Sequence, residues 1–311
     1  MVPGVARLPV ILDHDGGVDD YLATVLLMTM DHVDPLAVVV TPADCYPAAA
    51  VSATRKLLDL MGRSSVPVAR STVRGVNPFP RLFRRDCMTI DQLPILNERE
   101  TIATPLVPEA GQAFMARLLA ETTELVTVLV TGPLTTVAAA LDLEPSIEEK
   151  IARVVWMGGA LEVVGNVDPI LEGGQDLTAE WNAYWDPPAV ARLWESAIPV
   201  TMCPLDLTDR VPVTPEFLRR LSRERRHPLY DFAGQCYALV THQAYFFWDV
   251  LTTAYLGRPD LFEHKPRATA VVTDGPSQGR IMLDAGGREV DILADVDLDE
   301  FYRYILEQWG R

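Results

Sequence analysis

The segment Leu12-Asp13-His14-Asp15-Gly16-Gly17-Val18-Asp19-Asp20 places four carboxylates within eight residues. Crowded negative charges repel one another unless protons or a cation compensate. A hard divalent ion suits such a turn. Calcium takes six to eight oxygen ligands, and two adjacent glycines let the backbone bend closely around one. Asp44 in Ala43-Asp44-Cys45-Tyr46 and Asp249 in Tyr245-Phe246-Phe247-Trp248-Asp249 add two acids in apolar surroundings. A buried carboxylate without a partner is strongly disfavoured, so Asp249 reads either as a metal-bound or paired acid or as a helix-start residue. Asn166, Glu180 and Asn182 offer donors and acceptors suited to sugar hydroxyls, although each could also be a loop or cap residue.

The elements that must carry these groups follow from hydrophobic pattern. Leu8-Pro9-Val10-Ile11 reads as a buried strand ahead of the acidic turn, and Tyr21 to Met30 as the helix after it. Pro35 to Val40 completes a β-α-β unit and leaves Asp44 just past a strand end. A helix over 48–61, stopped by Gly62, and a short strand at Val66-Pro67-Val68-Ala69 come next. Residues 71–98 are rich in proline and arginine and read as a long loop of the kind that covers binding sites. A helix is predicted over 108–122. The strand Glu124 to Val130 then ends at Thr131-Gly132-Pro133, which places Thr131 oxygens at the same sheet edge as the acids. Strands at 151–157 and 197–203, an irregular stretch over 162–186 and a charged helix over 214–226 follow. A long aromatic-rich helical region spans 230–253, ahead of strands at 268–272 and 290–293 and a closing helix at 298–309. Strands alternating with helices define an α/β class, here a Rossmann-like, open, mainly parallel sheet flanked by helices, with its site at the C-terminal strand ends. No linker or repeat interrupts the pattern, so the expectation is one domain over 1–311.

Composition narrows the partners. With 27 basic and 43 acidic residues the formal charge is −16, which disfavours nucleic acid and anionic membranes. A small neutral substrate is easier to reconcile with it. Cys45, Cys87, Cys203 and Cys236 lack zinc-type spacing and read as reduced, buried thiols of a cytoplasmic protein. The first residues show no signal-peptide pattern, and the most apolar later stretch, 125–141, is broken by Gly132-Pro133.

Taken together these residues resemble the nucleoside hydrolases, whose pattern is an Asp-x-Asp-x-Gly-x-Asp-Asp turn after the first strand. The resemblance spans nearly the whole chain. It implies hydrolysis of the N-glycosidic bond of ribonucleosides, with calcium held by Asp15, Asp20, Asp249 and the Thr131 carbonyl. Asp15 matches the general base, Asn166, Glu180 and Asn182 match ribose-binding residues, and Asp13 and Asp19 match supporting acids of the turn. Asp44 is expected to help fix the ribose. The strings at 12–16, 43–46, 76–80 and 248–249 look most like the purine-specific branch. There Trp248 and Phe83 would stack on the base, with Phe83 standing where that branch has tryptophan and Gly17 where it has asparagine. The family's habit implies a homodimer or homotetramer.

Two other classes remain in play. A magnesium-dependent phosphohydrolase would use Asp13 or Asp15 as nucleophile, yet Lys56, Lys150 and Lys265 fall in no phosphate-binding motif. A non-catalytic nucleoside-binding protein is the other, and it gives the set of acids no use. Within the hydrolase reading, pyrimidine or broad specificity is the alternative to purine preference. Trp248 itself reads as a stacking face or as an ordinary core aromatic.

Overall fold

The computed structural model describes residues 7–223 and 226–311. A ten-stranded sheet runs in the order β4-β3-β2-β1-β5-β6-β7-β10-β8-β9. Its strands are β1 (Leu8–His14), β2 (Val33–Val40), β3 (Val68–Arg70), β4 (Leu106–Ala110), β5 (Val126–Val130), β6 (Ile151–Met157), β7 (Val200–Cys203), β8 (Phe262–Val271), β9 (Ile281–Leu283) and β10 (Arg288–Val296). Pairing is parallel from β4 through β7 and on to β10, whereas β8 pairs antiparallel with both β10 and β9. The fold class is therefore the one expected.

Helices cover both faces: α1 (Val18–Thr29), α2 (Pro47–Leu60), α3 (Arg81–Arg84), α4 (Asp86–Asp91), α5 (Gly111–Glu121), α6 (Thr135–Leu143), α7 (Trp181–Trp185), α8 (Pro187–Trp194), α9 (Leu205–Thr208), α10 (Pro215–Arg223), α11 (Pro228–Ala238), α12 (Asp249–Gly257) and α13 (Leu298–Trp309). Successive strand side chains point to opposite faces. Thus Val10 and Leu12 of β1 join Val38 and Val40 of β2 in a core under α1, α2, α12 and α13, while Ile11, Val39 and Val128 join α5, α6 and α8 on the other face. A strand buried on both sides must be apolar throughout, which explains the uninterrupted runs.

The order places β1 between β2 and β5, so the chain winds outward in one direction through β2 to β4 and in the other from β5 onward. That reversal is the crevice where open α/β sheets bind ligands. Register brings the strand ends level, with Asp13 opposite both Val39 and Val130. Backbone bonds continue past it, from Thr131 N–H to the Asp13 carbonyl (2.9 Å) and from Thr41 N–H to the His14 carbonyl (2.8 Å). Below this edge the Thr41 hydroxyl donates to Asp13 Oδ1 (2.7 Å) and lies 2.5 Å from Thr136 Oγ1, and Thr136 donates to Ser71 Oγ (2.8 Å). Four elements are laced together there by buried hydroxyls.

Several expectations need correction. The segment 71–98 is not structureless: it carries α3, α4 and a 3-10 turn at Pro94–Leu96. The helix expected from 108 begins at Gly111, because 106–110 forms the edge strand β4. The helical region over 230–253 is two helices. Between α11 and α12 the chain runs extended enough for Phe246 to bridge Pro212 and for Phe247 N–H to bond the Val211 carbonyl. The irregular stretch 162–186 ends in α7. The charged helix expected over 214–226 is seen as Pro215–Arg223, and its residues 224 and 225, like the N-terminal 1–6, lie outside the described residues. All four cysteines are free and buried, and among the described residues no helix is long and apolar enough to cross a membrane.

Candidate active site

The turn after β1 is shaped by backbone. Gly16 has φ +85°, and a Cβ there would come within 2.7 Å of Cys45 Cβ. Only glycine meets both demands. Gly17 then donates its N–H to Asp20 Oδ2 (2.7 Å), and α1 begins at Val18. Across the crevice the β5–α6 turn presses in at Gly132, where a Cβ would meet Asp15 Cβ at 2.8 Å. This close approach brings Thr131 against the acids, and its hydroxyl donates to Asp20 Oδ1 (2.5 Å).

A cavity of about 260 Å³ opens here, and its walls include Asp15, Asp19, Asp20, Asp44, Thr131, Glu180 and Asp249. Asn166, Asn182, Phe83 and Trp248 line it as well. Asp13 does not; buried behind the edge, it holds Thr41. Asp15 Oδ2 accepts the Asp44 N–H (3.2 Å). The Asp19 carboxylate caps α12 by accepting the N–H groups of Asp249 (2.7 Å) and Val250 (3.1 Å), and it also accepts the Tyr237 hydroxyl (3.3 Å). Asp249 is thus both a helix-start residue and a cavity acid.

The residues expected to meet ribose also build the wall. Glu180 caps α7, one oxygen accepting from Asn182 N–H (2.9 Å) and the other from Gly159 N–H (2.9 Å) and Ala183 N–H (3.1 Å). Asn166 Oδ1 accepts from Trp181 N–H (3.0 Å), and Asn182 Nδ2 donates to the Thr131 and Met157 carbonyls (3.0 and 3.1 Å). Phe83 packs edge-on against Trp181, with ring centroids 6.1 Å apart. Trp248 is half-buried, with one side on Met157, Ala160 and Leu205 and its ring 4.7 Å from that of Tyr245. It therefore serves the core and the cavity at once.

Sequence reasoning missed several lining residues, among them Phe79, Asp86, Trp181, Gln243 and Tyr245. Trp181 sits inside the Ala-Glu-Trp-Asn string and Tyr245 within the aromatic run before Asp249, so both were within reach. Phe79 and Asp86 arrive from the covering segment, where no periodicity marks them.

Burial dominates the electrostatics. It pushes the carboxyls of Asp15, Asp44 and Asp249 well above the ordinary range, and the charge of Asp20 pushes each further in the same direction. Glu180 rises to about 7 through burial, opposed by the amides it accepts. No lysine, arginine or histidine lines the cavity among the described residues, and of Asp15, Asp44 and Asp249 it is Asp44 that a basic side chain, Arg84, lowers. Uncompensated carboxylates and an all-oxygen donor set fit a hard cation. The expected ligands are not gathered, however: among the described residues no three His, Cys, Asp or Glu side chains form a group able to hold a metal ion. Asp20 and Asp15 are instead satisfied locally by Thr131, Gly17 and Asp44.

An acid-lined cavity at the switch point of a mainly parallel sheet is the arrangement of an α/β enzyme acting on a small ligand. The chain belongs to the nucleoside hydrolase family, with residues 10–303 matching the family model described as inosine-uridine preferring nucleoside hydrolase. It is accordingly an N-ribosyl hydrolase. The crystal structure of an inosine-uridine preferring nucleoside hydrolase from Bacillus anthracis is similar at TM-score 0.94 and 43% identity, covering 98% of this chain and 99% of that one. A pyrimidine-specific ribonucleoside hydrolase of Citrobacter koseri is 30% identical over 324 residues, covering 97% of each protein. A purine-preferring ribonucleoside hydrolase from Gardnerella vaginalis shares the fold at TM-score 0.79 and 23% identity, covering 97% of this chain and 98% of that one.

Proposed function

We propose that this hydrolase cleaves the N-glycosidic bond of purine ribonucleosides in a calcium-dependent reaction, releasing ribose and free base. The observation that carries the reading is a single cavity with a floor of buried acids and walls that include Phe83 and Trp248, without a histidine among its described lining residues. Asp15, Asp20, Asp249 and the Thr131 carbonyl would hold the ion, which when bound supplies positive charge and coordination positions for a water and the ribose diol.

The remaining chemistry belongs to the side chains. Asp15 takes the proton from the attacking water. Asp44 and the remaining lone pair of the Glu180 oxygen that takes only the Asn182 N–H accept ribose hydroxyls. Asn166 Nδ2 and Asn182 add polar contacts, while Asp13 and Asp19 hold the edge and α12 in place. Cleavage builds positive charge on the sugar and negative charge on the leaving base. Stacking on Trp248 and Phe83 holds the base while solvent protonates it, with each aromatic face worth roughly 1–3 kcal/mol by analogy with nucleic-acid systems.

The test compares kcat/KM for inosine and uridine in the wild type and in Trp248→Ala. Wild type should prefer inosine, and the variant should lose much of that preference through kcat. Uridine preference in the wild type would support the second reading, pyrimidine or broad specificity, which the names of the 30% and 43% identical relatives favour. The reading also takes the chain as one domain over 1–311, assembled as a homodimer or homotetramer, and its buried free thiols suit the reducing cytoplasm.

A further inference from the structure

One cavity-lining acid has no part in this scheme. Asp86, the first residue of α4, is half-buried and faces the cavity, yet its carboxyl makes no hydrogen bond or ion pair with any described residue. It arrives on the same covering segment as Phe83, three residues earlier. It is close enough to His242, in the turn that also supplies Gln243 and Tyr245, to feel its charge. Asp86 therefore enters the cavity from the cover that carries Phe83, and not from the strand-end floor formed by Asp15, Asp20 and Asp249. Burial raises its carboxyl and the charges of Arg85 and His242 lower it again, while Asp44 is the acid that faces it. An unpartnered carboxyl in a ligand cavity has its acceptors available for a substrate donor.

We propose that Asp86 reads the nucleobase: its carboxylate accepts the ring N–H beside a carbonyl in hypoxanthine, guanine and uracil, favouring these lactam bases over adenine and cytosine. The latter two present a bare ring nitrogen at that position, whose lone pair faces the carboxylate unfavourably. The inference rests on the acidic floor being the ribose end of the cavity. It requires neither purine nor pyrimidine preference, because both classes contain a lactam member. The plainer role for an acid at this position is to stabilise the N-terminus of α4.

Paired substrates separate the two roles. kcat/KM is measured for inosine, 1-methylinosine and adenosine with wild type, Asp86→Ala and Asp86→Asn. The methyl group removes the donor, and adenosine replaces it with an acceptor at nearly constant shape. Wild type should favour inosine over both by about tenfold or more, the size of one charge-assisted hydrogen bond. Asp86→Ala should lower the inosine value by that factor and move the other two less than about twofold, collapsing both ratios. Asp86→Asn, whose amide is uncharged and can turn its N–H toward the bare ring nitrogen of adenosine, should lose most of the preference for inosine over adenosine. Equal losses on all three substrates would assign Asp86 to the helix or the cover and overturn the proposal, as would unchanged ratios. The Kd values of free hypoxanthine and adenine, measured by calorimetry, should show the same collapse in Asp86→Ala without turnover. Near-normal turnover by Asp15→Asn would unseat the acidic floor, and the Kd ratio would still decide Asp86 by itself.

Discussion

Asp15 concentrates the demands of the site. Its carboxyl is buried, raised in pKa and assigned two tasks, holding the ion and accepting the proton of water. Asp15→Asn changes shape little but removes both, so turnover should fall by at least about 10²-fold, as expected for loss of a general base, while circular dichroism and Tm report a folded protein. Near-normal kcat would sink the assignment. That Asp15, Asp19, Asp20, Asp44 and Asp249 share one cavity was legible because their types and spacing carry chemistry regardless of tertiary context, whereas Asp13 lies behind the edge. Their division of labour was not. That Asp19 spends its oxygens on α12, and that Glu180 and Asn166 cap α7, depends on loops meeting from distant parts of the chain. Asp86 was invisible for the same reason, since nothing local marks a lone acid in an arginine-rich segment as cavity-facing.

At the scale of elements, the site depends on the β5–α6 turn lying directly on Asp15. Gly132→Ala would force a methyl to within 2.8 Å of Asp15 Cβ. Overpacking of this kind costs about 1–3 kcal/mol, and here the side chain displaced is the proposed base. Activity should fall much more than Tm, and equal activity at reduced stability would show that Asp15 can relax. Elements with a strong local pattern were the easiest to read: the strand at 151–157 and the helix at 298–309 have the bounds expected, because an apolar run or an amphipathic period suffices there. Elements defined by partners were not. β4 is a five-residue edge strand with exposed Leu106 and Pro108, whose only strand partner among the described residues is β3. The break between α11 and α12 exists because Phe246 bridges Pro212, a contact no periodicity reports.

For the whole molecule, the raised carboxyls make stability depend on pH in a definite sense. A group protonated more readily when folded contributes stability below its unfolded pKa, and that contribution is lost as pH rises through the folded value. For Glu180 this window runs from the ordinary carboxylate range to about 7, and Asp15, Asp44 and Asp249 act in the same direction. Metal-free protein should lose Tm between about pH 5 and 8. Calcium should restore it most at the upper end, where the ligands are ionised, and better than zinc does. Scanning calorimetry after exhaustive chelation checks both, and a Tm indifferent to calcium at pH 8 would remove the ion from the scheme. Light scattering should show a dimer or tetramer. The hydroxyl lacing of Thr41, Thr136 and Ser71 under the strand ends has a separate consequence for hydrogen exchange. These ends are tied across β1, β2, β3 and α6, so the amides of Thr41, Ser71 and Thr131 should exchange only when the entire chain unfolds. The covering helices α3 and α4, with Arg81, Leu82, Arg85 and Met88 turned to solvent, are held instead by the Arg84 bond to the Cys45 carbonyl and the Lys56–Asp91 ion pair, and should exchange faster. The sugar end would then behave as a fixed anvil and the base end as a door, so that release of product is paced by the door.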